Sequence, residues 1–572
     1  MIDVGQRLVD RLIAYGVRTV FGVPGGQTVP FYHGLAVRQD RISHVLMRDE
    51  RSACFAADAY ARVTGTVGVC DATVGPGATN LVSGLVEAYS SSIPILAVIA
   101  DIPRGWAHRR RLGSASQGFE QRDFLDPCVK WYGRVETPEQ LDDVLDQCIR
   151  VASSNRPGPV VIEIPDDVFS APASEAAHGE GLSATFPRLR FGPDPAALDV
   201  AVDVIVTSRR PLILAGGGVQ IADARAELQS LAEILQIPVA TTISGKGAIA
   251  ETHPLAVGLS GSFGSPLVNE LIEQSDCLLA LGCKLGQAAT LGWELPRSES
   301  TVVHVDVDGE EIGRNHPRTV AVQADARLGI QALREAFVGR DFSSDWDLTE
   351  IAARVEELWQ TENFKVPLEQ DRIKPQQVIR SLSTRLDDDD MIVTDASLAS
   401  GWAASLWRVE AAGRRVLAPR GVAGLGWGLP AATGAAFGMR DLGRPGRVVC
   451  LAGDGGWAYS VAEIETLARF GMAVPSIVLN NAVLGWNKHV AMRRYPDAWV
   501  SQDFGEVDWA RTAEGLGGWA ERVEDPGDLD AAIGRALAWE DRPAVLDVLS
   551  SEFETPVLKA MSGPVEASKA AY

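Results

Sequence analysis

Asp454 stands in the run Gly453-Asp454-Gly455-Gly456, and 27 positions later Asn481 closes the run Val478-Leu479-Asn480-Asn481. No other feature constrains the chain as tightly. A hard cation such as Mg2+ requires oxygen ligands in near-octahedral order and takes much of its shell from phosphate and water. One carboxylate and one amide oxygen at two loop ends supply half of such a shell. The glycines around Asp454 let backbone N–H groups approach an anion closely, and residues 457–470 begin a predicted helix whose N-terminus favours negative charge. The pattern predicts a metal-bridged diphosphate, although a Gly-Asp-Gly by itself is also an ordinary turn.

A chain of 572 residues has room for about three domains, each able to bury its own core. Its 46% hydrophobic and 22% charged residues suit a large soluble enzyme. No apolar run reaches membrane-spanning length, and Met1-Ile2-Asp3-Val4 lacks the basic and apolar regions of a signal peptide, so a cytoplasmic protein with no membrane partner is expected. The seven cysteines fall at irregular spacing without a Cys-x-x-Cys pair, which argues for reduced thiols. A net charge of -22 repels nucleic acid but leaves room for a local basic pocket that takes an anionic substrate.

Residues 1–170 alternate helix-like and strand-like segments, with apolar runs at 67–73, 93–100 and 160–164. Such alternation predicts a parallel sheet covered by helices on both faces. Residues 171–189, rich in Ala, Ser and Gly, read as a linker. A second α/β block spans 190–340, with strands predicted at 211–215, 277–282 and 302–306, and a third spans 370–550. The fold class predicted is therefore α/β, with three doubly wound parallel-sheet domains and a C-terminal tail at 551–572. The four acids at 387–390 read as a solvated loop.

A second segment gives the first motif its meaning. Arg48-Asp49-Glu50-Arg51 and the helix-like run 52–62 resemble the segment that carries the catalytic glutamate of thiamine-diphosphate enzymes, and Gly453-Asp454-Gly455 with Asn480-Asn481 is similar to that family's cofactor signature. The likeness extends over almost the whole chain. It implies a metal held by Asp454, Asn481 and the backbone carbonyl of Val483, with Gly453, Gly455, Gly456, Leu484 and Gly485 lining the cofactor. It also implies that Glu50 hydrogen-bonds the pyrimidine N1' and favours the imino tautomer, so that the cofactor's own amino group takes the weakly acidic C2 proton. Read without the family, Glu50 is an exposed acid capping the helix that follows.

The loops Phe21-Gly22-Val23-Pro24-Gly25-Gly26 and Gly75-Pro76-Gly77-Ala78-Thr79-Asn80 resemble those that pack near this glutamate and the thiazolium ring, which places Gly26 and Asn80 at the cofactor. Turn-forming glycine alone would make either loop scaffold. Asp395-Ala396-Ser397-Leu398 resembles the loop on the far side of the diphosphate. Leu425 aligns with the bulky apolar residue that props thiamine into a V, bringing its amino group within roughly 3 to 3.5 Å of C2. The three blocks become pyrimidine-binding, central and diphosphate-binding domains, the first and third being similar sheets. In the central block Gly217, Gly218, Lys246, Asp306 and Asp325, with Arg156 from the first, match the arrangement in which relatives hold ADP or FAD, though many relatives hold neither there.

The implied chemistry makes or breaks a C–C bond beside a carbonyl. The layout is closest to acetolactate-synthase-like enzymes, yet these carry a carboxylate-binding arginine where this chain has Ala288, and a Gln-Trp segment where it has Trp486-Asn487-Lys488-His489. Phe119-Glu120-Gln121 resembles instead the segment of oxalyl-CoA decarboxylases and 2-hydroxyacyl-CoA lyases, with Glu120 in place of a glutamine. A carboxyl group there would relay protons and, when ionised, repel a carboxylate substrate; a surface ion pair with Arg122 or residues 109–111 is the plainer reading. His489 suits proton relay or simple packing. The tail resembles the segment that closes over coenzyme A, or is a frayed end. The expectation is a thiamine-diphosphate and Mg2+ dependent lyase that cleaves or forms a 2-hydroxyacyl-CoA, giving formyl-CoA and an aldehyde or ketone. The alternatives are an acetolactate-synthase-like carboligase acting on 2-keto acids and a non-catalytic ADP- or FAD-binding regulator. Because the family seats its cofactor between subunits, a homodimer or homotetramer is implied.

Overall fold

Near-continuous Val, Ile, Leu and Ala runs can be satisfied only by strands covered on both faces, and a parallel sheet flanked by helices does this. The computed structural model, which describes residues 2–174, 182–362, 372–495 and 500–556, has three parallel sheets of six strands. In spatial order the first sheet runs Ser43–Leu46, Thr19–Gly22, Gly68–Ala72, Ile95–Asp101, Val160–Pro165, Trp131–Arg134. The third runs Val416–Leu417, Met391–Thr394, Val448–Gly453, Pro475–Asn480, Ala544–Leu549, Trp519–Val523. Ranked by chain order, both read second, first, third, fourth, sixth, fifth. The central sheet runs Thr319–Gln323, Thr301–Asp306, Cys277–Leu281, Pro211–Ala215, Val239–Thr241, Ala256–Leu259, the doubly wound order in which the chain reverses direction between its first and fourth strands.

Register decides where the loops emerge. Gly453 pairs with Leu479 and Thr394 with Leu451, so three adjacent strands deliver Asp395, Asp454 and Asn481 at one carboxyl-terminal edge, where open α/β sheets bind ligands. Two readings change here. Asp390 is buried and accepts from the backbone N–H of Arg447 at 2.6 Å and its guanidinium Nη2 at 2.6 Å, so only 387–389 form the solvated loop. The predicted linker packs onto the first domain: the N–H of Val67 donates to Ala184 at 2.8 Å, and residues 175–181 lie outside the described set. All seven cysteines are free. Among the described residues no helix is long and apolar enough to cross a membrane.

The helix Glu50–Thr64 is buried at twelve of its fifteen positions, as a helix must be when covered on every side. One side meets its own sheet and the other meets the helix Gly428–Leu442. At their crossing a Cβ on Gly434 would lie 1.9 Å from the Ala56 carbonyl oxygen, so only glycine lets the backbones approach.

The segment 418–428, which enters that second helix, is held at both ends. Glu87, 1% exposed, accepts from the backbone N–H groups of Gly421, Val422 and Ala423 at 2.8, 2.8 and 2.9 Å. Asp395, equally buried, accepts from those of Gly426 and Gly428 at 3.1 and 3.0 Å. Substituting Glu87→Gln turns an amide NH2 toward backbone donors. It should lower unfolding stability by about 1–3 kcal/mol and speed amide exchange at 421–423; unchanged exchange there would mean Glu87 does not restrain the segment.

A third contact joins the domains at Glu463, whose carboxylate accepts from the Arg48 N–H at 3.1 Å and the Thr466 hydroxyl at 2.7 Å. Burial pushes this carboxyl up to about 7, against the pull of those donors. Between its ordinary value and about 7 the folded chain therefore holds a proton that the unfolded chain has lost, so stability falls as pH rises through that window. Glu463→Gln removes the titration, and its denaturation midpoint should decline less than wild type between about pH 5 and about pH 7.5. Parallel pH profiles for the two proteins would count against this assignment.

Candidate active site

The loops at the edge of the third sheet enclose a cavity of about 310 Å3. Its wall includes Ala396, Ser397, Leu398, Leu425, Gly453, Asp454, Gly455, Gly456, Asn481, Val483, Leu484 and Gly485, every residue predicted for this half of the cofactor site. Asp454 accepts from its neighbour Gly455 at 2.9 Å and from Ala482 N–H at 2.8 Å, which ties the two loops together. Burial pushes the Asp454 carboxyl up to about 6; a bound divalent cation would reverse that preference.

The amide of Asn481 supplies the test of whether a metal fits. As placed, its oxygen lies 3.2 Å from the Val483 carbonyl oxygen and 3.3 Å from Asp454 Oδ1. Two acceptors facing the amide oxygen are repulsive, and the long contact from the Val483 N–H at 3.3 Å offsets this only in part. Rotating the amide, so that NH2 donates to both oxygens, relieves it in one way. A hard divalent cation relieves it in the other, and carboxylate, amide and carbonyl oxygens are ligands such a cation takes. A single carboxylate makes a weak site, so phosphate oxygens and water have to complete the shell.

On the opposite wall Asp395 accepts from the Ala396 N–H at 2.6 Å, and burial pushes it up to about 6. Ser397 adopts φ 68° ahead of the helix Leu398–Leu406. Gly456 has to be glycine, since a Cβ would stand 2.8 Å from the Asp395 carboxyl carbon. The single helix predicted over 457–470 is instead two short ones, Asp454–Trp457 and Glu463–Arg469. The break exposes the Tyr459 carbonyl, which accepts from Arg51 Nη2 at 2.9 Å.

Glu50, Asn80 and Gly26 do not line the cavity. Glu50 opens its helix but does not cap it; Asp49 does, accepting from Arg51 and Ser52 N–H. The Glu50 side chain is buried instead, its Oε2 accepting from Asn80 Nδ2 at 2.9 Å. Gly26 is exposed with open space at its Cα. The cavity of one chain is therefore lined by the residues predicted from the third domain and not by those predicted from the first. Glu120 is exposed and lies 3.8 Å from Arg110, and His489 sits half-buried on the helix Gly485–Arg494, off the cavity wall.

In the central domain the charged residues expected at a nucleotide have protein partners. Buried Lys246 donates to both oxygens of Glu251 at 2.6 and 2.7 Å, Asp325 caps the helix Ala326–Phe337 and pairs with Arg190 at 2.9 Å, and Arg156 pairs with Glu311 at 2.8 Å and Asp308 at 3.2 Å. Asp306 accepts from Asp308 N–H at 3.0 Å. Gly217 and Gly218 open a five-residue helix with Gly218 packed against the Gly282 backbone. Each of these charged groups thus has a partner within the protein, that of Arg156 lying across the boundary between the first and central domains. Sequence reasoning missed Phe263 and Arg420, which line the cavity from the central domain and from the segment 418–428. Arg420 was detectable as the one charge in an otherwise apolar, glycine-rich run. The predicted lid residues 557–572 lie outside the described set, but Ser551 and Glu554 reach the cavity rim, where Glu554 pairs with Lys374 at 2.8 Å.

Comparison with known proteins agrees with this architecture. Residues 2–126, 198–333 and 395–548 match, in turn, the N-terminal TPP binding, central and C-terminal TPP binding domains of thiamine pyrophosphate enzymes. The chain is 31% identical to a "Probable acetolactate synthase large subunit" of Methanococcus aeolicus over 95% of its own length and 91% of that protein's. It is 33% identical to an "Acetolactate synthase" of Arthrospira platensis, covering 95% and 93%, and 32% identical to the large subunit from Parasynechococcus marenigrum, covering 95% and 86%. These names overturn the expected 2-hydroxyacyl-CoA lyase and its coenzyme A substrate. Glu120, one of the residues behind that expectation, is exposed and 3.8 Å from Arg110. Agreement across all three domains, in order and over nearly the full length, means that the chain belongs to the superfamily of thiamine-pyrophosphate-dependent enzymes that includes the acetolactate synthases.

Proposed function

We propose that the protein is an acetolactate-synthase-like carboligase, using thiamine diphosphate and Mg2+ to decarboxylate one 2-keto acid and join its acyl unit to the carbonyl of another. The observation that carries this reading is the convergence of Asp454, Asn481 and Val483 oxygens in a cavity bounded by the Ser397 loop and Leu425; the names of the relatives supply the reaction class. When bound, the cofactor supplies an acidic carbon whose conjugate base adds to a carbonyl and accepts the electron pair released with CO2. Asp454, Asn481 and Val483 hold the metal, and the loops at 396–398 and 453–456 receive the diphosphate on backbone N–H groups. Leu425 supports the bend between the two rings. Glu50, fixed by Asn80, hydrogen-bonds the pyrimidine and promotes proton removal.

Because Glu50 does not line the cavity of its own chain, the reading has a second copy set its Glu50 against this cavity, and so at least a homodimer. Protein supplied with thiamine diphosphate, Mg2+ and pyruvate should release CO2 and form acetolactate. Glu50→Gln should lower kcat by about a hundredfold or more, while calorimetric affinity for the cofactor stays within about threefold. No CO2 from pyruvate or from 2-ketobutyrate would falsify the carboligase assignment.

A further inference from the structure

Joining two 2-keto acids brings two carboxylates into one cavity with different fates. Resting on the carboligase reading, we propose that Arg420 binds the carboxylate of the acceptor, the 2-keto acid that keeps its charge. The balance is two 2-keto acid anions and one proton giving one 2-hydroxy-2-acyl acid anion and CO2. The bond between the donor's carbonyl carbon and its carboxylate breaks, its electron pair forms the new bond to the acceptor's carbonyl carbon, and the acceptor's carbonyl oxygen takes the proton.

Arg420 lines the cavity with Leu425, Phe263 and Trp486. Its Nη1 donates to the Ser400 hydroxyl at 3.2 Å. That hydroxyl donates in turn to the Ser397 carbonyl at 2.8 Å, so its lone pair is turned to the arginine. The guanidinium lies over the Phe263 ring, 5.4 Å from its centre, and Phe263 meets Trp486 at 5.9 Å. Of five N–H donors, the described residues fill one, and among them none forms an ion pair with Arg420. The acid whose charge bears on it, Glu87, is already committed to three backbone N–H groups. Burial accordingly pushes the Arg420 pKa down, the mark of a cation short of a counter-anion.

An arginine fork matches a carboxylate in two parallel hydrogen bonds, and its position is fixed because Glu87 grips the next residue, Gly421. The choice of acceptor over donor follows from the energetics. A cation on a carboxylate that leaves as neutral CO2 stabilises the ground state more than the transition state and slows bond breaking. On a carboxylate that stays charged it orients the carbonyl for attack without that penalty. Ala288, standing where relatives of this kind are expected to carry a carboxylate-binding arginine, leaves the role open to a residue from another loop.

The test separates the two halves of the reaction in the holoenzyme. In Arg420→Gln, CO2 release from pyruvate in a single turnover should stay within about twofold of wild type, and KM for a 2-keto acid acceptor should rise by about 10- to 100-fold. Ligation to a neutral aldehyde acceptor should be unaffected. Arg420→Lys, which keeps the charge and loses the fork, should show a smaller rise of about threefold to tenfold in the same KM, and it carries the comparison if the glutamine variant does not fold. A parallel loss with charged and neutral acceptors, or a loss of CO2 release, overturns the assignment, as does an unchanged acceptor KM. Wild-type holoenzyme that releases no CO2 overturns the carboligase reading itself, and this inference with it.

Discussion

Two buried carboxylates grip one stretch of backbone, and the cavity is arranged around that stretch. Glu87 from the first domain and Asp395 from the third accept five N–H groups between residues 421 and 428. Backbone donors buried without partners are rarely tolerated, and buried carboxylates are expensive unless hydrogen-bonded; each group removes the other's penalty. The outcome is a rigid segment between a short edge strand and a helix, with Arg420 and Leu425 facing the cavity. Packing alone could not fix a glycine-rich run this closely, because glycine brings no side chain to pack.

The repeated strand order of the first and third sheets gives this clamp a wider logic. In each, the second strand in chain order lies at the sheet edge and leads into a long buried helix, Glu50–Thr64 in one and Gly428–Leu442 in the other. These two helices pack on each other at Gly434 and Ala56. Glu50 and Leu425 therefore occupy corresponding positions, each in or just before the helix that follows its sheet's second strand. Pairing like domains within the chain occupies one pair of faces.

What could be read from the sequence follows from how local each physical demand is. Diphosphate and metal impose requirements within a few residues, so the runs at 395–398, 453–456 and 481–485 stand out in the sequence, and the structure brings them to one cavity; unbroken apolar strands identified the sheets. Glu87 could not be found this way: it is one acid in an amphipathic helix, and its partners are more than 330 positions away. Phe263 is likewise carried in from the central domain. Lys246 shows what a motif leaves out, since a lysine between glycines reads as a phosphate ligand while the partner it has here, Glu251, lies five positions on. Glu120 was judged by its place in a motif, which says nothing of the Arg110 that stands 3.8 Å from it.

Electrostatics around the cavity show why a chain of net charge -22 is compatible with anionic substrates. The acids on its wall are satisfied in place: Asp395 by backbone N–H groups, Asp454 by those of Gly455 and Ala482, and Glu554 by Lys374 and Gln376. N–H dipoles directed at a carboxylate weaken the field it projects across a cavity, and bulk charge on the surface is screened within about 8–10 Å at ordinary salt. The guanidinium of Arg420 is held differently, by a hydroxyl and an aromatic face, neither of which carries a compensating negative charge. Among the residues that line the cavity it is the one positively charged side chain. For the proposed 2-keto acids, a local cation of this kind would count for more than the sign of the whole protein.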